Sequence, residues 1–370
     1  MEYTNLGKTG LKVSRFGLGC MRLPQEEAEA IKIVRQAIDQ GVNYLDTAYM
    51  YKNNEVLVGK ALQGGYRQKT FLATKSPIWH VEKREDFERL LDEELVRLGT
   101  DYIDVYLLHN LNPHHWEVVK RHDGLTFLDK MVQKGKIRHK GFSIHSTFPA
   151  FKEIIDSFDW EMAQIQMNIL DEHQQVTIEA LPYAAAKGVP LVIMEPLRGG
   201  TLLANTPPEV LGLINNFPIK RSLAEWCFRW LYNKPEISII LSGVNTIEQL
   251  QDNLAIFENS AAGSMSAEEQ ELISAIQKIF ENQKAISCTG CKYCLPCPQG
   301  VNIPKVFNMF NRHQTAKPHN VQKIAYRCEM IFNKNSGDYC VACGQCEEKC
   351  PQKLPIIDLL KTAHEELAEK

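Results

Sequence analysis

The chain of 370 residues has no basic excess: 42 lysines and arginines face 45 acidic residues, for a formal charge of −3. Without a positive field to neutralise phosphates, nucleic acid is not an expected partner. No apolar run approaches the ~18 residues that a membrane span needs. The start, Met1-Glu2-Tyr3-Thr4-Asn5, lacks the apolar stretch of a secretion signal, so a cytoplasmic location away from membranes is expected. Low-complexity and collagen-like composition is also missing, and 44% hydrophobic with 24% charged residues suits a folded chain with a sizeable core. Two glycine fingerprints are absent. The nearest approach to G-x-G-x-x-G is Gly17-Leu18-Gly19-Cys20-Met21-Arg22, and no P-loop occurs, which argues against a Rossmann sheet and a nucleotide triphosphatase. Cysteine is scarce before residue 287, where only Cys20 and Cys227 of the 11 occur. The clustering of the rest, with no secretion signal, points to metal or redox chemistry over a disulfide framework.

Short apolar runs alternate with helical patterns from residue 10 to about 258. Strands are predicted over 13–19, 43–48, 70–75, 102–109, 136–143, 162–168, 190–196 and 237–243, with amphipathic helices such as 26–40 between them. Eight such units suggest a (β/α)8 TIM barrel. The expected organisation is a barrel over 1–258, a linker and connecting helix over 259–287, and a small module over 288–370. In the connecting segment, Ser266 and Glu269 form a capping-box pattern that opens a helix through about Ala285, with Leu272, Ile276 and Phe280 as its apolar stripe.

Strand alternation puts Ile103, Val105, Leu107 and His109 on one face, so that a histidine ends an apolar row. Lys75 ends the row of Phe71 and Ala73, and Asp46 follows Tyr44. Three ionisable groups thus stand at the C-terminal ends of three consecutive strands, where barrel enzymes carry their chemistry.

Residues 3 to 258 resemble an aldo-keto reductase. The resemblance rests on Leu6-Gly7-Lys8-Thr9-Gly10-Leu11-Lys12-Val13-Ser14, Gly41-Val42-Asn43-Tyr44-Leu45-Asp46-Thr47-Ala48 and Leu98-Gly99-Thr100-Asp101-Tyr102-Ile103-Asp104. It implies a catalytic tetrad of Asp46, Tyr51, Lys75 and His109, with all four residue types intact. Hydride transfer to a carbonyl builds negative charge on its oxygen, so a proton donor and polar contacts must converge there. The resemblance makes Tyr51 the acid, its phenol brought toward the working range by the Lys75 cation. Asp46 would hold Lys75, and His109 would position the carbonyl.

The same resemblance implies NADP or NAD as cofactor, with Cys20, Met21, Ser143, Gln164, Met194, Leu197, Arg198, Gly243, Gln249 and Asn253 as candidate contacts. Ser143 and Gln164 match positions that hold the nicotinamide carboxamide, and Asn253 one near the adenine; Arg198 is a candidate for the pyrophosphate, with a plain surface arginine as the alternative. Three departures stand out. Ile144 replaces the common Asn after the strand-five Ser, Met194 stands where many members stack an aromatic ring, and Gly243 and Gln249 occupy positions that are basic in some NADPH-preferring members.

The remaining signal is two cysteine runs, Cys288-x2-Cys291-x2-Cys294-x2-Cys297-Pro298 and Cys340-x2-Cys343-x2-Cys346-x3-Cys350-Pro351. The second has the bacterial ferredoxin spacing, and the first differs by one residue. Four-cysteine zinc sites normally pair two knuckles across a longer gap and are the weaker alternative. Residues 286 to about 365 are similar to an α-helical ferredoxin module, with helices expected near 304–311 and 355–366. That resemblance implies two 4Fe-4S clusters in crossed ligation, one on Cys288, Cys291, Cys294 and Cys350, the other on Cys340, Cys343, Cys346 and Cys297. The expected function is hydride exchange between NAD(P)H and a small carbonyl or alcohol, with the clusters serving electron transfer and a redox protein as partner. The alternatives are an electron-transfer protein whose barrel activity is minor, and clusters that only stabilise their module.

Overall fold

The computed structural model describes residues 1–51, 53–173, 175–204, 206–258, 261–281, 286–315 and 320–368. They divide into two compact units, Met1–Met167 with Asp171–Pro196 and Phe228–Met265, and Asn168–Leu170 with Leu197–Cys227 and Ser266–Lys370.

In the first unit, a hairpin of β1 (Tyr3–Asn5) and β2 (Lys12–Ser14) precedes the eight barrel strands. These are β3 (Phe16–Gly19), β4 (Tyr44–Asp46), β5 (Phe71–Ser76), β6 (Ile103–Leu111), β7 (Ile137–Ile144), β8 (Met162–Gln166), β9 (Leu191–Met194) and β10 (Ile237–Ser242), all parallel. The sheet closes where β10 pairs with β3. The expected first strand, 13–19, is two elements: its front half turns back antiparallel onto Tyr3–Asn5, and it breaks at Arg15, whose amide donates to the Glu2 carbonyl and whose side chain donates to that of Ile237.

Alternation decides the barrel's contents. Tyr44, Ala73, Val105, Leu107, Met162, Val192, Ile239 and Leu241 form one buried cluster inside it. Space there is tight at Gly17, where a Cβ would stand 2.7 Å from Leu241 Cδ2 and 2.8 Å from Ile239 Cγ2. Helix α1 (Glu27–Asp39) is capped by the Glu26 carboxylate, which accepts from the amides of Ala28 and Glu29, and it buries Ile33, Val34 and Ile38. Helices α2 (Asn54–Ala61) and α3 (Glu85–Leu98) touch at Gly59, where a Cβ would come within 2.7 Å of the Arg97 carbonyl oxygen.

In the second unit, helix Ala267–Glu281 opens on a reciprocal capping box: the Ser266 amide donates to Glu269 Oε2 at 3.0 Å, and the Glu269 amide to Ser266 Oγ at 3.3 Å. The expected continuation to Ala285 lies outside the described residues beyond 281, as do residues 259 and 260 of the linker. Helices Ile303–Thr315 and Ile356–Ala368 supply a second core from Val306, Phe307, Phe310, Leu360, Ala363 and Leu367, joined by Tyr326 and Met330. Asn311 ties the segment before the first cysteine run to this core, accepting from the Ile286 amide and donating to its carbonyl, both at 2.7 Å. No helix among the described residues is long and apolar enough to cross a membrane.

Candidate active site and thiol cavities

The inward rows that fill the barrel end in polar groups. Two residues beyond Tyr44, Ala73, Leu107, Met162 and Val192 on the same faces come Asp46, Lys75, His109, Gln164 and Met194. Ser143 pairs in register with Gln164. A buried apolar core is therefore topped by a ring of polar side chains at the strands' C-terminal ends.

Lys75 is fully buried and its ammonium is held from three sides, by Asp46 Oδ1 at 2.7 Å, the Thr47 carbonyl at 2.7 Å and the Tyr51 hydroxyl at 3.4 Å. Burial pushes the Asp46 carboxyl up, and the neighbouring ammonium opposes that shift. Tyr51 sits in the loop between β4 and α2, its amide donating to the Ala48 carbonyl, and its ring meets His109 edge-on at 6.1 Å. Burial first, and then the Lys75 cation and the neighbouring His145 and His115 rings, hold His109 well below the usual histidine range, so it is a neutral imidazole near pH 7. The Trp79 ring lies 5.1 Å from that of His109 and 5.8 Å from that of His115.

The candidate cofactor residues separate into two groups. Ser143 accepts from the Asn110 amide at 2.9 Å, just beyond His109, and Gln164 points its Nε2 at Met194 Sδ, 3.6 Å away. Among the described residues, Gln164 Oε1, His109 Nδ1, Asp46 Oδ2 and Thr47 Oγ1 are buried without a hydrogen-bond partner. Buried polar atoms are normally paired, so this set fits a polar ligand that completes it. Cys20 is buried, its thiol pushed far up by burial, which marks an inert side chain in the floor of the site. Met21 is half-buried beside it. Asn253 donates to Ser242 Oγ at 2.9 Å, and Gln249 accepts from the Asn245 amide at 3.0 Å. Leu197 and Arg198 belong to the second unit, where Arg198 donates to Ser287 Oγ at 3.2 Å.

Two residues escaped the sequence reading. The stem of Arg22 runs past Gly243, its Cγ 3.4 Å from where a Cβ would stand. Asn54 donates to the Cys20 carbonyl at 2.6 Å and accepts from Gln25 at 2.9 Å, fastening α2 below Tyr51. Neither has a local signal, because each contact joins segments distant in sequence.

The thiols of the second unit ring two cavities. One is lined by Cys288, Cys291, Cys294 and Cys350, and the other by Cys294, Cys297, Cys340, Cys343 and Cys346. Burial and the neighbouring Cys291, Cys288 and Cys350 push the Cys294 thiol up to about 12, so the last cysteine of the second run stands beside the first run. No three His, Cys, Asp or Glu side chains among the described residues converge on a single metal ion. Eight cysteines line the two cavities, Cys294 both of them, and that set suits two four-iron clusters better than a single ion. Cys350 is buried, whereas Cys343 is exposed and its neighbour Val341 is 61% exposed.

Comparison with known proteins agrees with both parts. Residues 15–212 match the profile described as Aldo/keto reductase family, and residues 287–354 that of a 4Fe-4S dicluster domain. The uncharacterized oxidoreductase YqkF of Bacillus subtilis is 28% identical over 75% of this chain and 96% of its own. L-galactose dehydrogenase of Arabidopsis thaliana is 25% identical over 78% and 97%. The solved aldo-keto reductase AKR11C1 of Bacillus halodurans superposes with a TM-score of 0.62 at 27% identity, covering 75% of this chain and 96% of that one.

Proposed function

The chain belongs to the aldo/keto reductase family, and from that premise we propose that it interconverts a small carbonyl compound and its alcohol using NADPH or NADH, and that its C-terminal module holds two 4Fe-4S clusters for electron transfer. The observation that carries this reading is the convergence of Asp46, Tyr51, Lys75 and His109 at the barrel mouth. A bound reduced dinucleotide supplies the hydride. Tyr51 gives the proton to the carbonyl oxygen, with the Lys75 ammonium beside its hydroxyl to stabilise the phenolate left behind. Asp46 and the Thr47 carbonyl fix that ammonium. His109, neutral, donates an N–H to the carbonyl oxygen and orients it without itself surrendering a proton. The unpaired Gln164 oxygen takes an amide N–H of the nicotinamide, with Ser143 beside it. Arg22 supplies a cation next to Gly243.

For the module, the proposed ligand sets are Cys288, Cys291, Cys294 and Cys350, and Cys297, Cys340, Cys343 and Cys346. The clusters supply one-electron chemistry, which hydride transfer does not need. The exposure of Cys343 supports a diffusible redox protein as the partner of the second set. The proposed domain limits are 1–258 for the barrel, 259–287 for the connection and 288–370 for the module.

The test is a screen of anaerobically purified protein with NADPH and NADH against aldehydes and ketones, with Tyr51→Phe in parallel. The variant should bind cofactor as the wild type does and lose about a hundredfold or more in kcat. Turnover near wild type in Tyr51→Phe overturns the assignment.

A further inference from the structure

Behind the strand that bears Lys75 lies a second group of buried carboxyls, none of them in the tetrad. Glu94 of α3 is fully buried and Glu55 of α2 is 2% exposed. Thr74 of β5, next to Lys75 but facing outward, sits between them, its Oγ1 2.7 Å from Glu55 Oε1 and 3.2 Å from Glu94 Oε1. Tyr106 of β6 donates to Glu94 Oε2 at 2.6 Å, and Arg97 of α3 donates to Glu55 Oε2 at 3.2 Å. Glu93, also on α3, faces away onto the Tyr49 hydroxyl and Arg89.

Hydrogen counting settles the state of this group. Thr74 has one hydrogen, and the shorter contact, to Glu55, takes it. At the longer contact the threonine offers only a lone pair, and the Glu94 and Glu55 carboxyls also bond each other, which two bare carboxylates cannot do, so a hydrogen sits on the pair and Glu94 is its place. Charge counting agrees, because two buried carboxyls face one cation, Arg97, whose pairs are with Glu55 and with the part-exposed Glu93. Burial and the Glu55 charge both push the Glu94 carboxyl up, in the same sense.

We propose that Glu94 is a positioning residue that keeps its proton at neutral pH and donates it to Thr74, completing a brace from Tyr106 through Glu94, Thr74 and Glu55 to Arg97 that holds Tyr51 against Lys75. The link to Tyr51 is short. Glu55 is in the first turn of α2, and the Asn54 amide of that turn donates to the Tyr51 carbonyl at 2.9 Å. The Glu55 to Thr74 bond thus ties the start of α2 to the residue preceding Lys75. Ionising Glu94 sets a bare carboxylate against Thr74 Oγ1 and against Glu55, and the brace opens.

This inference rests on the proposed role of Tyr51 for its effect on rate, but not for the proton itself. Infrared spectra of the whole protein at neutral pH should show a protonated carboxylic acid band that disappears in Glu94→Gln and persists in Asp46→Asn. Glu94→Gln, whose amide still donates to Thr74 and accepts from Tyr106, should keep kcat within about threefold. Thr74→Val should lower kcat by on the order of tenfold with the cofactor Kd unchanged. Absence of the band overturns the proposal whatever the protein's substrate proves to be. A band lost in Glu94→Gln with kcat unmoved in Thr74→Val overturns the brace's hold on Tyr51.

Discussion

His109 shows how much of the chemistry a single environment decides. Burial and the nearby Lys75 cation hold it well below the ordinary histidine value of ~6.5, so it stays neutral through the range where a free histidine titrates. Carbonyl reduction should accordingly show no step in kcat/KM between about pH 6 and 8, and fall only in more acid solution as His109 gains charge. A unit-slope step near 6.5 contradicts this. Depression of the value also means that an unfolded chain takes up a proton that the fold refuses, so the contribution of His109 to stability is lost as pH falls below the ordinary value. Glu94 behaves with the opposite sign of shift: the fold keeps a proton that the unfolded chain releases, and stability falls as pH rises above the ordinary carboxylate value of ~4.3 until Glu94 itself ionises. At the nucleotide end, Gly243 and Gln249 carry no charge, and Gln249 spends its side chain on the Asn245 amide. NADPH should therefore be preferred over NADH by less than about a thousandfold, roughly 4 kcal/mol, in fluorescence titrations of Kd. A larger preference that collapses in Arg22→Ala assigns the phosphate to Arg22. Strand alternation made Asp46, Lys75 and His109 legible, while Tyr51 lies on an aperiodic loop and was found only through the resemblance.

Among the elements, the eight barrel strands were readable because each is a short apolar run whose alternation ends on a polar or small residue. The hairpin of β1 and β2 was not, since three residues are too few to show a period, and 13–19 reads as one strand until Arg15 is seen to bond in two directions. The approach of α2 to α3 was equally hidden. It depends on the missing side chain of Gly59, whose Cβ would meet the Arg97 and Leu98 backbone at 2.7 Å, and backbone cannot step aside as a side chain tip does. Gly59→Ala should cost about 1 to 3 kcal/mol, seen as a lower denaturation midpoint by circular dichroism. Because α2 carries Glu55 and α3 carries Glu94, the same substitution should also lower kcat. An unchanged midpoint shows that the helices separate freely.

At the scale of the whole molecule, the cysteine spacing gave the kind of site, and the ferredoxin resemblance implied a pairing between runs, which the lining of both cavities by cysteines of the two runs supports. Cys350→Ser should damage the cluster of Cys288, Cys291 and Cys294, leaving the signal of the other set in electron paramagnetic resonance. Loss confined to the set of Cys340, Cys343 and Cys346 shows ligation run by run. Anaerobic protein should carry about eight irons with matching sulfide, and zinc in their place removes the redox proposal. The sharing of runs also bears on how the module is made. During synthesis the first three thiols leave the ribosome well before Cys350 exists, and Cys297 must wait for a partner set that is translated later still. On the proposed ligation neither set of four is whole until Cys346 or Cys350 has been made, and a single cut between the runs would leave two fragments with no complete set in either.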